Sequence, residues 1–125
     1  MARILIADDE QDFCFLMQRA LALAGHEVRV ARDGNEAMTS LRAASADVAV
    51  VDLFMPGKDG IETILDIRRR YPDLKIIAIT GSMPKTGGAV LAMAQKLGAH
   101  LTLAKPFSVE ELLAAVNLVL PAPPA

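Results

Sequence analysis

Five residues carry chemistry of one kind. Asp8 and Asp9 stand side by side after a short apolar run, Asp52 closes a longer one, and Thr80 and Lys105 each follow a further run. Carboxylates forced close together either raise a proton affinity or recruit a cation. Hard oxygen donors suit Mg2+, which keeps several waters and favours one or two carboxylates beside phosphate oxygens. Singly, each residue has a plainer use. A lone Asp caps a turn or helix, a lone Lys is solvated charge, and a Thr suits a strand. The set as a whole argues for a site.

The elements that must position these residues alternate along the chain. The run Val48-Ala49-Val50-Val51 leads straight into Asp52, with Pro56-Gly57 and Asp59-Gly60 behind it. Such a run reads as a strand buried on both faces, hence part of a parallel sheet covered by helices. Before it, 3–7 reads as a strand closed by Asp8-Asp9-Glu10. Residues 11–24 read as a helix with Phe13, Leu16, Met17, Ala20, Leu23 and Ala24 on its apolar side, stopped at Gly25. Residues 27–31 read as an edge strand, Asp33-Gly34-Asn35 as a turn, and 36–44 as a helix. After Asp52, 60–70 reads as a helix with Ile61, Ile64, Leu65 and Arg68 on one side, ended by Tyr71-Pro72-Asp73. Residues 74–79 form a buried strand leading into Thr80-Gly81-Ser82. Pro84 suits the first turn of a fourth helix. Gly87-Gly88 weaken that start, which leaves 89–97 as its firm part, stopped by Gly98. Residues 100–104 give a fifth strand. Ser108 and Glu111 match a capping box that opens a last helix running to about Leu120. The domain therefore spans 1–120, with 121–125 a Pro/Ala-rich tail.

Five strand–helix units in alternation predict an α/β fold, a doubly wound parallel sheet with helices on both faces. In the flavodoxin-like order 2-1-3-4-5, the first and third strands are neighbours and the switch point lies between them. Ligands bind there, outside the carboxyl ends of the strands. The chain of 125 residues suffices for one core. That core is aliphatic, since 53% of residues are hydrophobic and only 4% aromatic. A net charge of −2 and a pI near 5.6 argue against a basic nucleic-acid footprint. Cys14 is the lone cysteine, so no internal disulfide forms, and a reducing cytoplasmic setting is expected. No apolar run reaches the roughly 18 residues of a membrane span, and Asp8 arrives too soon for a signal peptide.

Four segments together resemble the receiver domain of two-component response regulators. These are Ile6-Ala7-Asp8-Asp9-Glu10, then Val51 through Gly60, then Ile79-Thr80-Gly81, then Leu103-Ala104-Lys105-Pro106-Phe107. The resemblance runs from about Arg3 to Leu120. It implies that Asp52 accepts a phosphoryl group from a histidine kinase or phosphotransfer protein. It implies Mg2+ held by Asp9, Asp52 and the main-chain carbonyl of Phe54, with Asp8 acting mostly through a metal-bound water. Thr80 and Lys105 would bind the new phosphate, and Pro106 would follow a cis peptide that aims Lys105 inward. The output would be a population shift on the face built from the fourth helix, fifth strand and fifth helix. A downstream protein target is implied, and a phosphorylation-dependent dimer is allowed. The module would catalyse only its own phosphorylation and dephosphorylation. The Pro/Ala tail fits a stand-alone receiver or the excised front of a longer regulator. A rival class, a metal-dependent phosphohydrolase with an aspartyl nucleophile, would place Asp-x-Asp on the first strand and carry a cap domain.

The chain departs from the family at one switch position. Thr102 stands where an aromatic usually sits, three residues before the lysine. Phe54, two positions after Asp52, could shield the phosphate from water, or simply pack in its loop. Gly81 leaves room for a donor. Gly87-Gly88 could order on phosphorylation, or form a longer loop of no consequence. His100 reads as a lone surface histidine, and Met38, Met83 and Met93 as core fillers.

Overall fold

The computed structural model describes residues 2–55, 60–80 and 87–120, with the backbone alone described at 87–91. Gly81, Met83, Pro84, the Pro56-Gly57 pair, Asp59 and the 121–125 tail lie outside the described residues.

The apolar runs pair as one parallel sheet of β1 (Arg3–Ala7), β2 (Glu27–Ala31), β3 (Val48–Asp52), β4 (Lys75–Thr80) and β5 (Leu101–Ala104). Its order is β2-β1-β3-β4-β5, as expected, with β2 at an edge. Five helices alternate with the strands: α1 (Gln11–Leu23), α2 (Gly34–Ala43), α3 (Gly60–Arg70), α4 (Gly87–Leu97) and α5 (Val109–Val119). Side chains alternate along each strand, so the sheet divides two cores. Leu5, Ala7, Ala49, Val51, Ile76 and Ala78 face one core, with Ala37, Leu41, Ile64 and Ile67 from α2 and α3. Ile4, Ile6, Val48, Val50, Ile77 and Ile79 face the other, with Met17, Leu21, Leu112 and Val116 from α1 and α5. Both cores are predominantly aliphatic, and β3 is buried at every position.

Element limits match the sequence reading at β1, β2 and α3 and differ by one or two residues elsewhere, with Asp33 capping α2 by accepting from the Glu36 amide at 2.8 Å. Ser108 and Glu111 form the expected capping box on α5. The expected face of α1 is rotated. Cys14, Met17 and Leu21 are buried, whereas Leu16 and Leu23 are 61% and 79% exposed and Ala24 is exposed as the C-cap. Apolar type says only that burial is tolerated, and the i, i+3, i+7 set 14, 17, 21 is the one that meets the sheet. On α3 the buried set is Gly60, Thr63, Ile64 and Ile67, so Leu65 was misassigned and Ile67 missed. The α4 helix begins at Gly87 and not at 89, so its two glycines do not delay it. Met38 is buried as expected, but Met93 is half exposed.

The end of the sheet away from the acidic residues is tied together. Arg68 Nη1 donates to the Pro72 carbonyl and Nη2 to the Gly98 carbonyl, each at 2.6 Å. Beside them, His100 Nδ1 accepts from the Ile76 amide at 3.0 Å and lies 3.3 Å from Arg68. His100 is exposed, as expected of a surface histidine, but it is not alone: it is bonded to neighbouring elements. Burial, then the charges of Arg68 and Lys75, lower its proton affinity, which keeps Nδ1 free to accept. Among the described residues, no helix is long and apolar enough to cross a membrane.

Candidate functional site

The parallel sheet brings the carboxyl ends of its strands to one rim. Asp52 is the last residue of β3 and Thr80 the last of β4, while Asp8 and Lys105 directly follow β1 and β5. Because β1 pairs with β3, Ala7 lies opposite Val51, and the acidic residues of both strands share one pocket. Asp8, Asp9 and Asp52 each offer a carboxylate oxygen within 4.8 Å of the others. Asp8 and Asp52 are buried and Asp9 is exposed. The pocket is thus walled on the protein side and open at Asp9.

Each buried carboxylate is oriented by the chain around it. Asp8 Oδ1 accepts from the Glu10 amide at 2.9 Å, and Asp52 Oδ1 accepts from the Phe54 amide at 3.0 Å. These are Asx-type contacts that need a short polar side chain two residues before the donor. Behind Asp52, Gly60 packs so closely that a Cβ would strike the Asp52 carbonyl and lie 2.5 Å from Leu53 Cα. Glycine there is required for the approach of α3 to the end of β3.

Electrostatics follow from this crowding. Burial pushes the Asp52 carboxyl up to about 7, the neighbouring Asp8 charge adds to the rise, and the Phe54 amide and Lys105 oppose it. Lys105 Nζ sits 2.9 Å from Asp8 Oδ2, 2.9 Å from Glu10 Oε1 and 3.8 Å from Asp52 Oδ2. Burial works against its charge, but hydrogen bonds to Glu10 and Asp8 hold its pKa above the ordinary value. The Lys105–Pro106 bond is cis. The Thr80 hydroxyl is buried with no hydrogen-bond partner among the described residues. A buried orphan hydroxyl is costly, and it is explained when an acceptor joins it in another state. Cys14 is inert: it donates to the Asp8 carbonyl at 3.2 Å, and burial, then the Asp8 charge, pushes its thiol up to about 12.

The residues singled out from sequence therefore meet, with two qualifications. Lys105 is engaged chiefly by Asp8 and Glu10 and stands off from Asp52. Thr102 is half-buried on β5 and paired with Ala78, on the sheet face opposite Leu101 and Leu103. Phe54 is 54% exposed. Sequence reasoning missed Glu10 and Phe13 as neighbours of Lys105, whose ammonium lies 4.0 Å from the Phe13 ring centroid. The available signal was a third carboxylate directly after Asp8-Asp9.

A hard-oxygen donor set of this kind fits Mg2+ by ligand type and number. Comparison with known proteins agrees. The profile of the family described as "Response regulator receiver domain" matches residues 4–117. The chemotaxis protein CheY4 of Vibrio cholerae is 31% identical over 96% of this chain and 99% of that one, with a TM-score of 0.86. The response regulator TrrA of Thermotoga maritima, solved in complex with Mg2+ and BeF, is 30% identical over 96% of this chain and all (100%) of that one, with a TM-score of 0.84. NtrX of Brucella abortus is 27% identical over 94% of this chain, with a TM-score of 0.88, but this chain spans only 26% of its length.

Proposed function

The chain belongs to the response regulator receiver domain family, and on that premise we propose that Asp52 accepts a phosphoryl group from a histidine kinase or a phosphotransfer protein. The observation that carries the reading is the meeting of three carboxylates with a buried lysine at one strand rim. Asp8, Asp9, Asp52 and the main-chain carbonyl of Phe54 would hold Mg2+. Bound there, the ion supplies positive charge that offsets repulsion between Asp52 and incoming phosphoryl oxygens.

The chain's own residues account for the remainder. Phosphoryl transfer depends on positioning and charge neutralisation more than on covalent help. The Phe54 amide orients the Asp52 carboxylate for attack on phosphorus, and the donor's imidazole nitrogen leaves as the acyl phosphate forms. Lys105 then pairs with the new phosphate, and the Thr80 hydroxyl gains the acceptor it lacks. The exposed Phe54 ring, two residues after Asp52, would hinder an attacking water. Output is a population shift that changes contacts with a downstream protein target, through a phosphorylation-dependent dimer or another partner, in the cytoplasm. The module turns over no other substrate.

Incubation with acetyl phosphate and Mg2+ should label the wild type stoichiometrically and leave Asp52→Asn unlabelled. Stoichiometric labelling of that variant overturns the assignment. Phe54→Asn should shorten the phosphate's lifetime, and an unchanged lifetime removes the shielding role. The phosphohydrolase alternative finds no support: the first strand ends in adjacent Asp8-Asp9, and Asp52 stands on the third.

A further inference from the structure

Among the described residues, Lys105 Nζ makes three close contacts in this structure. It donates to Asp8 and Glu10 at 2.9 Å each and lies over the Phe13 ring, 4.0 Å from its centroid. Asp52 stands farther off, as an ion pair at 3.8 Å without a hydrogen bond. Phe13 in turn stands edge-on to Phe107, with ring centroids 5.3 Å apart and planes at 84°. Glu10 is the N-cap residue of α1, yet its side chain makes no capping bond to its own helix and reaches across to Lys105. The sheet explains why these partners lie on α1. Leu101 and Leu103 pack on the α1–α5 core, and Lys105 continues their alternation, while Thr102 belongs to the opposite face.

We propose that Glu10 and Phe13 are positioning residues that hold Lys105 in a parked pose, and that phosphorylation of Asp52 is reported on the α1 side because the lysine must leave them. The proposal rests on the phosphoacceptor reading of Asp52. For Lys105 to donate to a phosphate on Asp52, at least one of its three contacts must break. The Asp8 side chain is wholly buried, whereas the Glu10 side chain is 62% exposed. Exposed ion pairs and cation–π contacts are the weaker class of interaction. Glu10 and Phe13 are therefore released first. Release uncovers one face of Phe13 and loosens its packing on Phe107. An aromatic pair bridging α1 and the segment before α5 thus takes up the reporting task that Thr102 lacks the ring to perform.

The test uses the full chain, with proton NMR of the Lys105 ε-methylene and the Phe13 and Phe107 rings. In the free protein the ε-methylene should resonate upfield of the other lysines, because the ammonium it carries lies over a ring face. Phe13→Leu, which keeps an apolar side chain on α1, should abolish that displacement. Addition of beryllofluoride with Mg2+ should abolish it in the wild type and move both ring signals. Phe13→Leu and Glu10→Gln should each take up phosphate from acetyl phosphate about two- to fivefold faster, the factor expected for losing one weak contact to the ammonium. An ordinary ε-methylene shift in the free protein overturns the parked pose. A shift that persists with beryllofluoride, or variant rates equal to wild type, overturns the release. If the wild type takes up no phosphate on Asp52 while the free-state shift is present, the phosphoacceptor reading fails and the parked pose stands.

Discussion

Asp52→Asn should make the metal-free protein more stable at alkaline pH while abolishing its phosphorylation. The Asp52 carboxyl is 3% exposed and held near 7, against an ordinary value of 3.8. Each tenfold change in proton affinity is worth about 1.4 kcal/mol, so ionising this group in the fold costs about 4 kcal/mol. Part of the rise comes from the neighbouring Asp8 charge, and the gain in the variant is taken as about 2–4 kcal/mol. The sign follows from proton counting. Between about pH 4 and pH 7 the folded carboxyl keeps a proton that the unfolded chain has released, so wild-type stability falls as pH rises and then levels off. Asn keeps the oxygen that accepts from the Phe54 amide and carries no charge to bury. Thermal unfolding in a chelator at pH 8 should give the variant a midpoint higher by roughly 10 °C, from about 3–5 °C per kcal/mol in a domain of this size. The gap should shrink steadily towards pH 4. Added Mg2+ should raise the wild-type midpoint and leave the variant's nearly still. A variant no more stable than wild type at pH 8, or a gap that does not vary with pH, refutes the argument.

Thr80→Val replaces a buried hydroxyl that has no partner among the described residues with a methyl, so it should raise stability by about 1 kcal/mol in urea titration. The same variant should lose phosphate-induced changes in its NMR spectrum. Gly60→Ala drives a Cβ into the Asp52 carbonyl and should cost about 2–3 kcal/mol, with slower labelling by acetyl phosphate. Arg68→Ala removes donors to the carbonyls of Pro72 and Gly98 and should cost about 1–3 kcal/mol, measured by the same titration.

Much of the architecture is legible in the sequence because β3 and β4 are nearly continuous apolar runs, and a parallel central strand covered on both faces tolerates little else. The ends of those runs locate Asp8, Asp52, Thr80 and Lys105 at one rim without knowledge of any side-chain contact. The phase of α1 was not legible. Leu16 and Leu23 are as apolar as Met17 and Leu21, and only the placement of the helix on the sheet decides between them. Thr63 escaped notice because a buried polar residue on α3 carries no hydrophobic signal. The three contacts of Lys105 were also hidden. Glu10 and Asp8 lie 95 and 97 residues from it, and no local pattern marks a carboxylate as one that turns away from its own helix.

The clasp of Arg68 on the carbonyls of Pro72 and Gly98, with His100 bonded to the Ile76 amide beside it, has a mechanical consequence. It anchors the floor of the domain below α3, β4 and β5, so rearrangement at the opposite rim swings about a fixed base. A displacement of Lys105 or Thr80 would then be taken up by the upper ends of these elements and not by a shift of the whole layer.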